Sequence, residues 1–483
     1  MDSQTANGEQ EEVRRSRAGR RVLVAAVAGC FVLGGALMFW PWQRAVPKVV
    51  APAPGAQALA AVGSGVPAGL PELAVLIGER EGFVRAHPTD ARAWAVLGAA
   101  YVEQGRRTAD AANYPRGERA LRASLKVRGR GNVEAMDGMA ALANARRDFR
   151  AARTWGEAAL KAAPKRWTTY PLLIDAYTGL GDYKAAKRTL DRLMELRSGP
   201  AVMARAGAVY RDRGWREDAA AALSDAAAAA HSPAERAAWL ERSGQLSFER
   251  GDLEDALRRF QEAVRIDPDQ RAALAGQGRA LAGLGRPTEA LNAYRVALAK
   301  QPCPQYALEL GELYESLGLG QAARVQYDLL RARVREEAAG GVDDELVLGV
   351  FEADHGDPAA AVQRLRAEWR RQPGIAVADA LGWALHRAGD DKEALRYATV
   401  ATDRVHGGGV RSAPYMYHRG VIERELEQYG PARRHLQEAL RTNPYFSPLQ
   451  VPLAEEALAA LGDVPDEPLP TEEESKEPTE KER

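Results

Sequence analysis

Residues 240–268 of the chain are LERSGQLSFERGDLEDALRRFQEAVRIDP, and residues 274–302 are LAGQGRALAGLGRPTEALNAYRVALAKQP. The second stretch repeats the first with an offset of thirty-four residues, which pairs Leu240 with Leu274, Gly244 with Gly278, Gly251 with Gly285, Phe260 with Tyr294 and Pro268 with Pro302. A period of this length is typical of a repeat built from one pair of helices. The two stretches therefore predict helical hairpins stacked along the chain.

The residue types of this pattern have a packing reason. Small residues at Gly244, Ala256 and Ala263 allow the two helices of a hairpin to cross closely, where a larger side chain would hold them apart. Large apolar residues such as Leu240 and Phe260 then fill the space beside the crossings. The pattern thus predicts both the helices and the way they pack.

The residues between the helices predict a turn. Gly251 suits the C-terminal end of the first helix, and Asp252 suits the N-terminus of the next. Pro268 ends the unit, because a proline can begin the following helix without losing a backbone hydrogen bond.

The same frame continues in both directions and resembles the tetratricopeptide repeat (TPR) family. The family's opening, W-x-x-L-G-x-x-Y, is matched by Trp94, Leu97, Gly98 and Tyr101. The turn after this opening departs from the family, because residues 106–116 (RRTADAANYPR) are inserted. The resemblance implies an all-α fold, a right-handed superhelical α-solenoid of about ten TPR helix hairpins. Residues 72–461 would form it, with capping helices at its ends.

Composition agrees with a helical fold and argues against a nucleic-acid partner. Hydrophobic residues make up 46% of the 483 residues, and the excess lies in Ala and Leu instead of the β-branched and aromatic residues typical of strands. Sixty-six basic residues balance sixty-six acidic ones, so no summed positive field is available to bind nucleic acid. The two cysteines, Cys30 and Cys303, lie in different segments and imply no disulfide framework.

An N-terminal membrane anchor is predicted. Residues 1–21 form a basic cytoplasmic tail, and residues 22–42 form a transmembrane helix that contains the uncharged run VLVAAVAGCFVLGGALMFW. Because the basic cluster precedes this run, the N-terminus is expected in the cytoplasm and the repeats outside the cytoplasmic membrane. One alternative stays open. Residues 27–30 (VAGC) look like a bacterial lipobox, in which case the chain is a lipoprotein anchored by lipidation of Cys30.

Two further segments flank the repeats. Residues 43–71 are rich in Ala, Pro, Gly and Val without an amphipathic period, which predicts an extended spacer. Residues 462–483 are rich in Pro and Glu, which predicts an acidic disordered tail. The abundant Ala and Arg resemble the composition of proteins from high-GC bacteria such as actinobacteria.

The resemblance also implies where a partner would bind. The first helices of stacked hairpins line a concave groove that suits a peptide or a segment of another protein. First-helix positions that do not carry the family's packing residues are the candidate groove residues: Arg92, Asn144, Asp175, Arg211, Glu241, Gln245, Arg279, Glu312, Asp379, Trp383, His386 and Arg424. Chaperone-binding TPR domains hold a C-terminal carboxylate with a Lys and an Asn, and these positions offer no such pair.

No catalytic motif is recognisable, so we expect no enzyme activity, no cofactor and no metal. The chain lacks H-E-x-x-H, G-x-x-x-x-G-K-[ST], G-x-S-x-G and paired C-x-x-C motifs. His355 precedes Gly356 and Asp357, a combination that fits a turn better than a metal site. The repeats also leave no length for a separate catalytic domain.

These observations support two hypotheses about function. The first is a membrane-tethered scaffold that presents its groove to envelope proteins, such as transport, secretion or wall-assembly components. The alternative is an extracytoplasmic chaperone or ligand sensor that holds unfolded chains or envelope polymers. In both, the expected partners are proteins or peptides in the groove and the membrane at the N-terminal helix. A hydrolytic enzyme is the least favoured interpretation.

Overall fold

The computed structural model describes residues 52–403 and 409–462. The predicted transmembrane segment 22–42, with Cys30, and the predicted acidic tail from residue 463 onward lie outside these ranges. The described part of the chain forms 23 α-helices and no strand. None of these helices is both long and apolar enough to cross a bilayer.

The helices follow one another in chain order. They are α1 (Pro54–Ser64), α2 (Leu70–Ala86), α3 (Ala91–Thr108), α4 (Asn113–Val127), α5 (Val133–Ala145), α6 (Phe149–Ala162), α7 (Thr169–Gly179), α8 (Tyr183–Leu196), α9 (Pro200–Asp212), α10 (Arg216–Ala228), α11 (Pro233–Glu249), α12 (Leu253–Ile266), α13 (Arg271–Gly283), α14 (Pro287–Lys300), α15 (Pro304–Ser316), α16 (Gly320–Ala339), α17 (Glu345–His355), α18 (Pro358–Arg371), α19 (Ile375–Arg387), α20 (Asp391–Thr402), α21 (Ala413–Glu425), α22 (Tyr429–Thr442) and α23 (Gln450–Ala460).

Helices α3 to α22 form ten consecutive hairpins, in which each odd-numbered helix packs against the even-numbered helix that follows it. Helices α1 and α2 make a further pair that packs on α3, and α23 packs on α22 as a closing helix. The structure therefore confirms the predicted all-α array of helix hairpins, and α1, α2 and α23 lie at its ends.

The expected extended spacer is wrong for its described part, because residues 54–64 form α1. Alanine-rich sequence favours a helix, Pro54 lies in its first turn, and Gly65, with a φ of +66°, ends it. The helix buries only small residues, Gly55 and Ala58. Leu59 and Val62 pack half-buried beside Ala58, so the apolar stripe of this helix is short and gave only a weak signal in the sequence.

A close contact between glycine and a large side chain organises the hairpins. A Cβ atom on Gly244 would lie 2.8 Å from the ring of Phe260, and one on Gly276 would lie 2.5 Å from the same ring. Phe260 is fully buried between them. The contact recurs between Gly311 and Tyr327, where a Cβ would lie 2.3 Å from the ring. The crossing predicted at Gly244 is thus present, and space for the ring exists only because the glycines have no side chain.

The turns inside the hairpins also follow the predicted chemistry. Gly251 has a φ of +80°, a conformation that favours glycine, and Asp252 occupies the position just before α12. In the third hairpin the equivalent Asp182 accepts a hydrogen bond from the backbone N–H of Ala185 at 2.8 Å. The aspartate thus caps an otherwise unpaired amide at the helix start.

The array winds back onto itself after about 195 residues, nearly six repeats of thirty-four. Arg146 donates from Nε to the carbonyl of Gly340 at 2.8 Å, and the amide of Asp343 donates to the carbonyl of Arg146 at 3.0 Å. Farther along, the hydroxyl of Tyr183 accepts from the amide of Ile375 at 3.1 Å. Successive turns of the superhelix therefore touch.

We call this line of contacts the inter-turn seam. On one side it consists of the turns that follow α3, α5, α7, α9 and α11, and on the other of residues 267–271, 340–344, 370–375, 409–412 and 443–445. At one end Arg107 donates to the Asp267 carboxylate at 2.9 Å. At the other, Asn443 donates to the carbonyl of Phe248 at 2.9 Å.

Two buried carboxyl groups meet at the middle of the seam. Glu337 is 6% exposed and Asp344 is 4% exposed. Arg147 pairs with one oxygen of Asp344 and donates to the carbonyl of Asp343 at 2.9 Å. One carboxyl oxygen each of Glu337 and Asp344 has no hydrogen-bond partner. Burial and the neighbouring Asp344 charge raise the pKa of Glu337 well above its ordinary value, which favours the neutral form.

The glycine contact predicts opposite effects of the same substitution at two sites. We expect Gly276→Ala to lower the free energy of unfolding by about 1–3 kcal/mol, because the buried Phe260 ring must move. Gly78, inside α2, has no atom within 4 Å of the place that an added methyl group would occupy, so Gly78→Ala should stabilise by about 0.5–1 kcal/mol through helix propensity. Urea unfolding midpoints measure both, and equal shifts would contradict the packing argument.

The seam predicts a pH-dependent stability. Because the pKa of Glu337 is raised in the folded state, its contribution is fully present below the unfolded pKa of about 4.3 and is lost as the pH rises through the folded pKa. Glu337→Gln should therefore stabilise the protein by about 1–3 kcal/mol at about pH 9 and change little at about pH 4. Melting temperatures at both pH values test this.

Glu336 supplies the matched control for this prediction. Its side chain is 63% exposed and pairs with Arg333 on the surface. Glu336→Gln should leave the melting temperature nearly unchanged at both pH values, since exposed ion pairs contribute little. A similar rise in both variants at alkaline pH would assign the effect to net charge and not to the seam.

Candidate functional site

The inward face of four consecutive first helices carries a polar ladder, which we define as Arg211, Gln245, Glu249, Arg279 and Glu309. Arg211 on α9 donates two hydrogen bonds to Glu249 on α11, each 2.7 Å long. Gln245, one turn before Glu249 on the same face, donates to it at 2.9 Å and accepts from Arg279 on α13. The Nε atom of Arg279 lies 3.4 Å from the Glu309 carboxylate on α15. Side chains thus link the helices laterally.

The ladder charges compensate one another. Burial alone would raise the pKa of Glu249, but the charge and hydrogen bonds of Arg211 lower it below its ordinary value. Burial alone would lower the pKa of Arg279, yet the Glu309 charge raises it, so this arginine stays cationic. Both groups remain ionised because each faces an opposite charge.

A second cluster joins three later first helices, α17, α19 and α21. The indole N–H of Trp383 donates to Asp354 at 2.8 Å, and its ring stacks on His418 with 4.3 Å between ring centroids. The Nδ1 atom of His418 lies 3.0 Å from the Asp379 carboxylate. His418 and Asp379 are both buried. The cluster therefore acts as packing and hydrogen bonding between repeats.

His355 lies between the two groups and has carboxylates on both sides. Its Nε2 is 3.6 Å from Glu312, and its Nδ1 is 3.3 Å from Glu315. Burial favours the neutral ring, but the Glu312 and Glu315 charges outweigh this and raise the pKa of His355 above its ordinary value. Its position at the end of α17, before the turn, agrees with the structural interpretation of this residue.

The structure brings together five of the twelve candidate groove residues. Arg211, Gln245 and Arg279 belong to the polar ladder, and Asp379 and Trp383 belong to the cluster around His418. Their polar atoms are engaged with other residues of the chain. Direct contact with a partner by any of them stays a prediction.

The other candidates are dispersed over the array. Most make one local or lateral contact, and these contacts are Asn144 with the Leu172 carbonyl, Asp175 with Arg205, Glu312 with His355, His386 with Asp391 and Arg424 with Glu425. Arg92 is exposed. His386 also contacts the Trp383 ring, with 5.0 Å between centroids, and so lies at the edge of the second cluster.

Two neighbouring charges on α11 are left without partners. Within the described residues, neither the Glu241 nor the Arg242 side chain makes a hydrogen bond or an ion pair, although the Arg242 guanidinium lies over the Trp239 ring at 5.1 Å. Burial raises the pKa of Glu241, whose charge interacts with Arg242 and Arg279. Burial and the nearby Arg205 lower the pKa of Arg242 to about 10. The Glu241 carboxylate and the Arg242 guanidinium are therefore a hydrogen-bond acceptor and a hydrogen-bond donor that the fold leaves available.

The sequence interpretation named Glu241 but missed several inward residues. Glu249 follows Gln245 by one helical turn, so i,i+4 spacing would have found it. Glu309 and His418 carry no local signal, since only the lateral spacing of neighbouring first helices brings them to Arg279 and Asp379.

Two adjoining cavities lie where the inward face meets the seam. The seam cavity has a volume of about 360 Å³ and is lined by residues of α7, α9, α19 and α21. The inner cavity has a volume of about 410 Å³ and lies against α15, α17 and α19. They share five lining residues: Arg147, Asp343, Leu346, Ala376 and Tyr415. Volumes of this size suit side chains or small ligands.

A third cavity of about 370 Å³ lies under the connection between α22 and α23. Its floor includes Arg279, Glu309 and Glu312, and its roof includes Pro444 and Phe446. The segment that connects α22 and α23 thus lies over Arg279 and Glu309 of the ladder.

Metal-binding chemistry has little basis in the described residues. No group of three or more His, Cys, Asp or Glu side chains within residues 52–403 and 409–462 is arranged to hold a metal ion. Cys303, the cysteine inside these ranges, is free, and burial raises its thiol pKa to about 11. A thiol of this kind is a poor nucleophile at neutral pH.

Fold and inward face together define an all-α solenoid of helix hairpins with a polar inner surface. Residues 205–271 and 275–334 match the family model described as a tetratricopeptide repeat. This match supports tetratricopeptide repeats in that part of the array, and the matched residues include α10 to α12 and α14 to α15 in full. No curated protein matches the chain.

Solved structures of repeat proteins resemble the chain at low identity. Human IFIT1, solved as a dimer with m7Gppp-AAAA, is 16% identical, with 68% of this chain and 76% of that chain covered and a TM-score of 0.45. A chain of the APC/C hetero-tetramer Cut9-Hcn1 is 15% identical, with 76% of each chain covered and a TM-score of 0.38. A tetratricopeptide repeat protein from Parabacteroides merdae is 17% identical, with 55% and 99% covered and a TM-score of 0.33. These likenesses concern the fold alone.

The ladder predicts a measurable coupling between Arg211 and Glu249. Their two charged hydrogen bonds should give about 1 kcal/mol in a double-mutant cycle built from Arg211→Ala and Glu249→Ala, after allowance for the 42% exposure of the arginine. The matched control is Arg286 with Glu289, an exposed pair of similar geometry at the start of α14. That pair should show no measurable coupling in urea unfolding, and equal coupling in both cycles would contradict a structural role for the ladder.

Proposed function

We propose that this chain is a scaffold that binds segments of other proteins along the inward face of its repeat array. The observation that supports this most is the unpaired state of Glu241 and Arg242 among ladder charges that are otherwise compensated. A fold gains nothing from half-buried charges without partners, whereas a ligand can supply the missing hydrogen bonds. The inward face thus has binding capacity beyond what holds the helices together.

A protein partner fits this face better than a nucleic acid. The polar ladder mixes acids and bases, with Arg211 and Arg279 matched by Glu249 and Glu309. Tight binding to phosphates requires an excess of Lys and Arg along the contact surface. A segment of polypeptide with charges of both signs can match such a surface.

We further propose that residues 22–42 tether the array to the cytoplasmic membrane and that the array lies outside it. The uncharged run in this segment and the arginines before it support this orientation. Lipidation at Cys30 is the alternative tether, and it would place the array on the same side. The scaffold would then organise envelope, transport or secretion proteins.

A second candidate function is promiscuous holding of unfolded chains. The apolar side chains of Leu346, Val347 and Val350, which line the inner cavity, support it, because apolar surface binds without regard to sequence. The two functions differ in a simple property. A holding protein suppresses the aggregation of unrelated clients, whereas a scaffold does not.

Photo-crosslinking in native membranes tests the scaffold. A photoreactive amino acid in place of Glu241 should crosslink a small set of defined proteins, because this position faces inward among the ladder charges. The same amino acid in place of Asn292, an exposed residue of the second helix α14, should not. Crosslinks that are absent at Glu241, or identical at both positions, would count against the proposal.

The same membranes allow the tether to be examined. After an alkaline wash the intact chain should stay with the membrane, and removal of residues 22–42 should release it. Cys30→Ala distinguishes the two anchors, since it leaves a transmembrane helix in place but abolishes a lipid anchor.

A further inference from the structure

Helix α17 carries apolar side chains on two faces, one fully buried in the repeat core and one that packs beside the core and stays half-exposed. Phe351 and Ala353 are fully buried in the repeat core. Leu346, Val347 and Val350 form a second stripe at i, i+1 and i+4, remain half-buried, and line the inner cavity. An amphipathic repeat helix needs one apolar stripe to pack against its neighbours. The second stripe is therefore apolar surface that the chain itself leaves partly uncovered.

Apolar surface continues from α17 onto the neighbouring first helix. Ala376 of α19 lines both the inner and the seam cavity, and Ile375 and Val377 line the seam cavity. Across the seam, Phe149 at the start of α6 closes the wall. The two cavities therefore share one apolar wall contributed by repeats that are far apart in sequence.

The polar residues around this wall carry more negative than positive charge. The acids that line the two cavities are Asp212, Asp343, Asp344, Glu368 and Asp379, and the bases that line them are Arg147 and Arg211. Arg371, just beyond the lining, pairs with Asp343 and Glu368. Even with this third arginine the acids are in excess.

Asp212 shares its arginine with another carboxylate. Asp212 accepts a hydrogen bond of 3.0 Å from Arg211, and the same guanidinium donates two hydrogen bonds of 2.7 Å to Glu249. Burial raises the pKa of Asp212 above its ordinary value; the Arg211 charge opposes this, and the nearby Glu249 and Asp175 charges add to it. A cation bound in the cavity would reduce the electrostatic repulsion between Asp212 and the neighbouring carboxylates.

We infer that the two cavities bind a segment of a partner protein that presents a large apolar side chain next to a lysine or arginine. The apolar side chain lies against Leu346, Val347 and Val350, and the basic group reaches Asp212 in the lining of the seam cavity. Charge complementarity selects a basic over an acidic segment. This inference rests on the proposed function, because it assigns the partner's chemistry at one part of the same inward face.

Fluorescent synthetic peptides test the inference with the full-length chain purified in detergent. The probe contains Phe-Lys-Leu-Arg at its centre, a second peptide replaces Lys and Arg with Glu, and a third replaces Phe and Leu with Ser. Anisotropy titrations should show that the probe binds at least about tenfold more tightly than either of the other peptides. Equal affinities for the three peptides would overturn the inference.

Variants of the chain locate the site. Val347→Gln should weaken binding of the probe by about tenfold, because it removes apolar contact. Asp212→Asn should reduce the preference for the basic over the acidic peptide and leave the contribution of Phe and Leu intact. The control is Asn292→Ala at a cavity of about 510 Å³ on α13 and α14, which should change nothing. Unaltered melting temperatures show that the variants fold, and Asp212→Asn keeps the test valid should Val347→Gln destabilise the array.

The results separate the two proposals. Crosslinks at Glu241 together with peptides that bind without preference, or with binding unaffected by both cavity variants, overturn this inference and leave the scaffold function standing. If no peptide binds and no crosslink forms at Glu241, both proposals are overturned. Selective binding that Val347→Gln and Asp212→Asn each weaken in the expected way supports the assigned site.

Discussion

The contact between a glycine on the first helix of a hairpin and a large side chain on the second is the constraint on which the rest of the structure depends. Gly244 faces Phe260 and Gly311 faces Tyr327, and in both hairpins the two residues lie sixteen positions apart. This contact sets how closely the two helices cross. Because it recurs with nearly the same geometry, each hairpin adds a similar rotation, and the sum is a superhelix.

Contacts between successive turns of the superhelix change how the stability of the array depends on its single repeats. In an open solenoid each repeat contacts only its neighbours, and stability is close to a sum of local terms. Here Arg107 reaches Asp267, and Arg146 reaches Gly340, across the inter-turn seam. Such contacts link repeats that are nearly a full turn apart, so loosening one repeat removes support from another. They also enclose the inward face and create the cavities along it.

The sequence predicted the local features well and the long-range ones poorly, for a physical reason. The spacing of Gly244, Gly251 and Phe260 reflects contacts within one hairpin. The hairpins, their turns and their number could therefore be inferred from the sequence. Helix α1 was missed because its apolar stripe of Ala58, Leu59 and Val62 is short and lies in a segment rich in Ala, Pro and Gly. The inter-turn seam could not be predicted from the sequence. Its contacts use backbone carbonyls and common charged residues, and their partners depend on the superhelical rotation summed over several repeats.

That rotation also explains why selecting inward polar residues could only partly define a binding site. Residues such as Arg211 and Arg279 do face inward, but neighbouring first helices compensate their charges, and breaking such a pair to bind a ligand has a desolvation cost. Binding energy at an interface concentrates in a few residues that lose water without losing an existing partner. By that criterion Glu241, Arg242 and the half-buried apolar stripe of α17 should contribute more binding energy than the ladder. The ladder holds the first helices at a fixed spacing, and this spacing keeps the unpaired groups in position before a partner arrives.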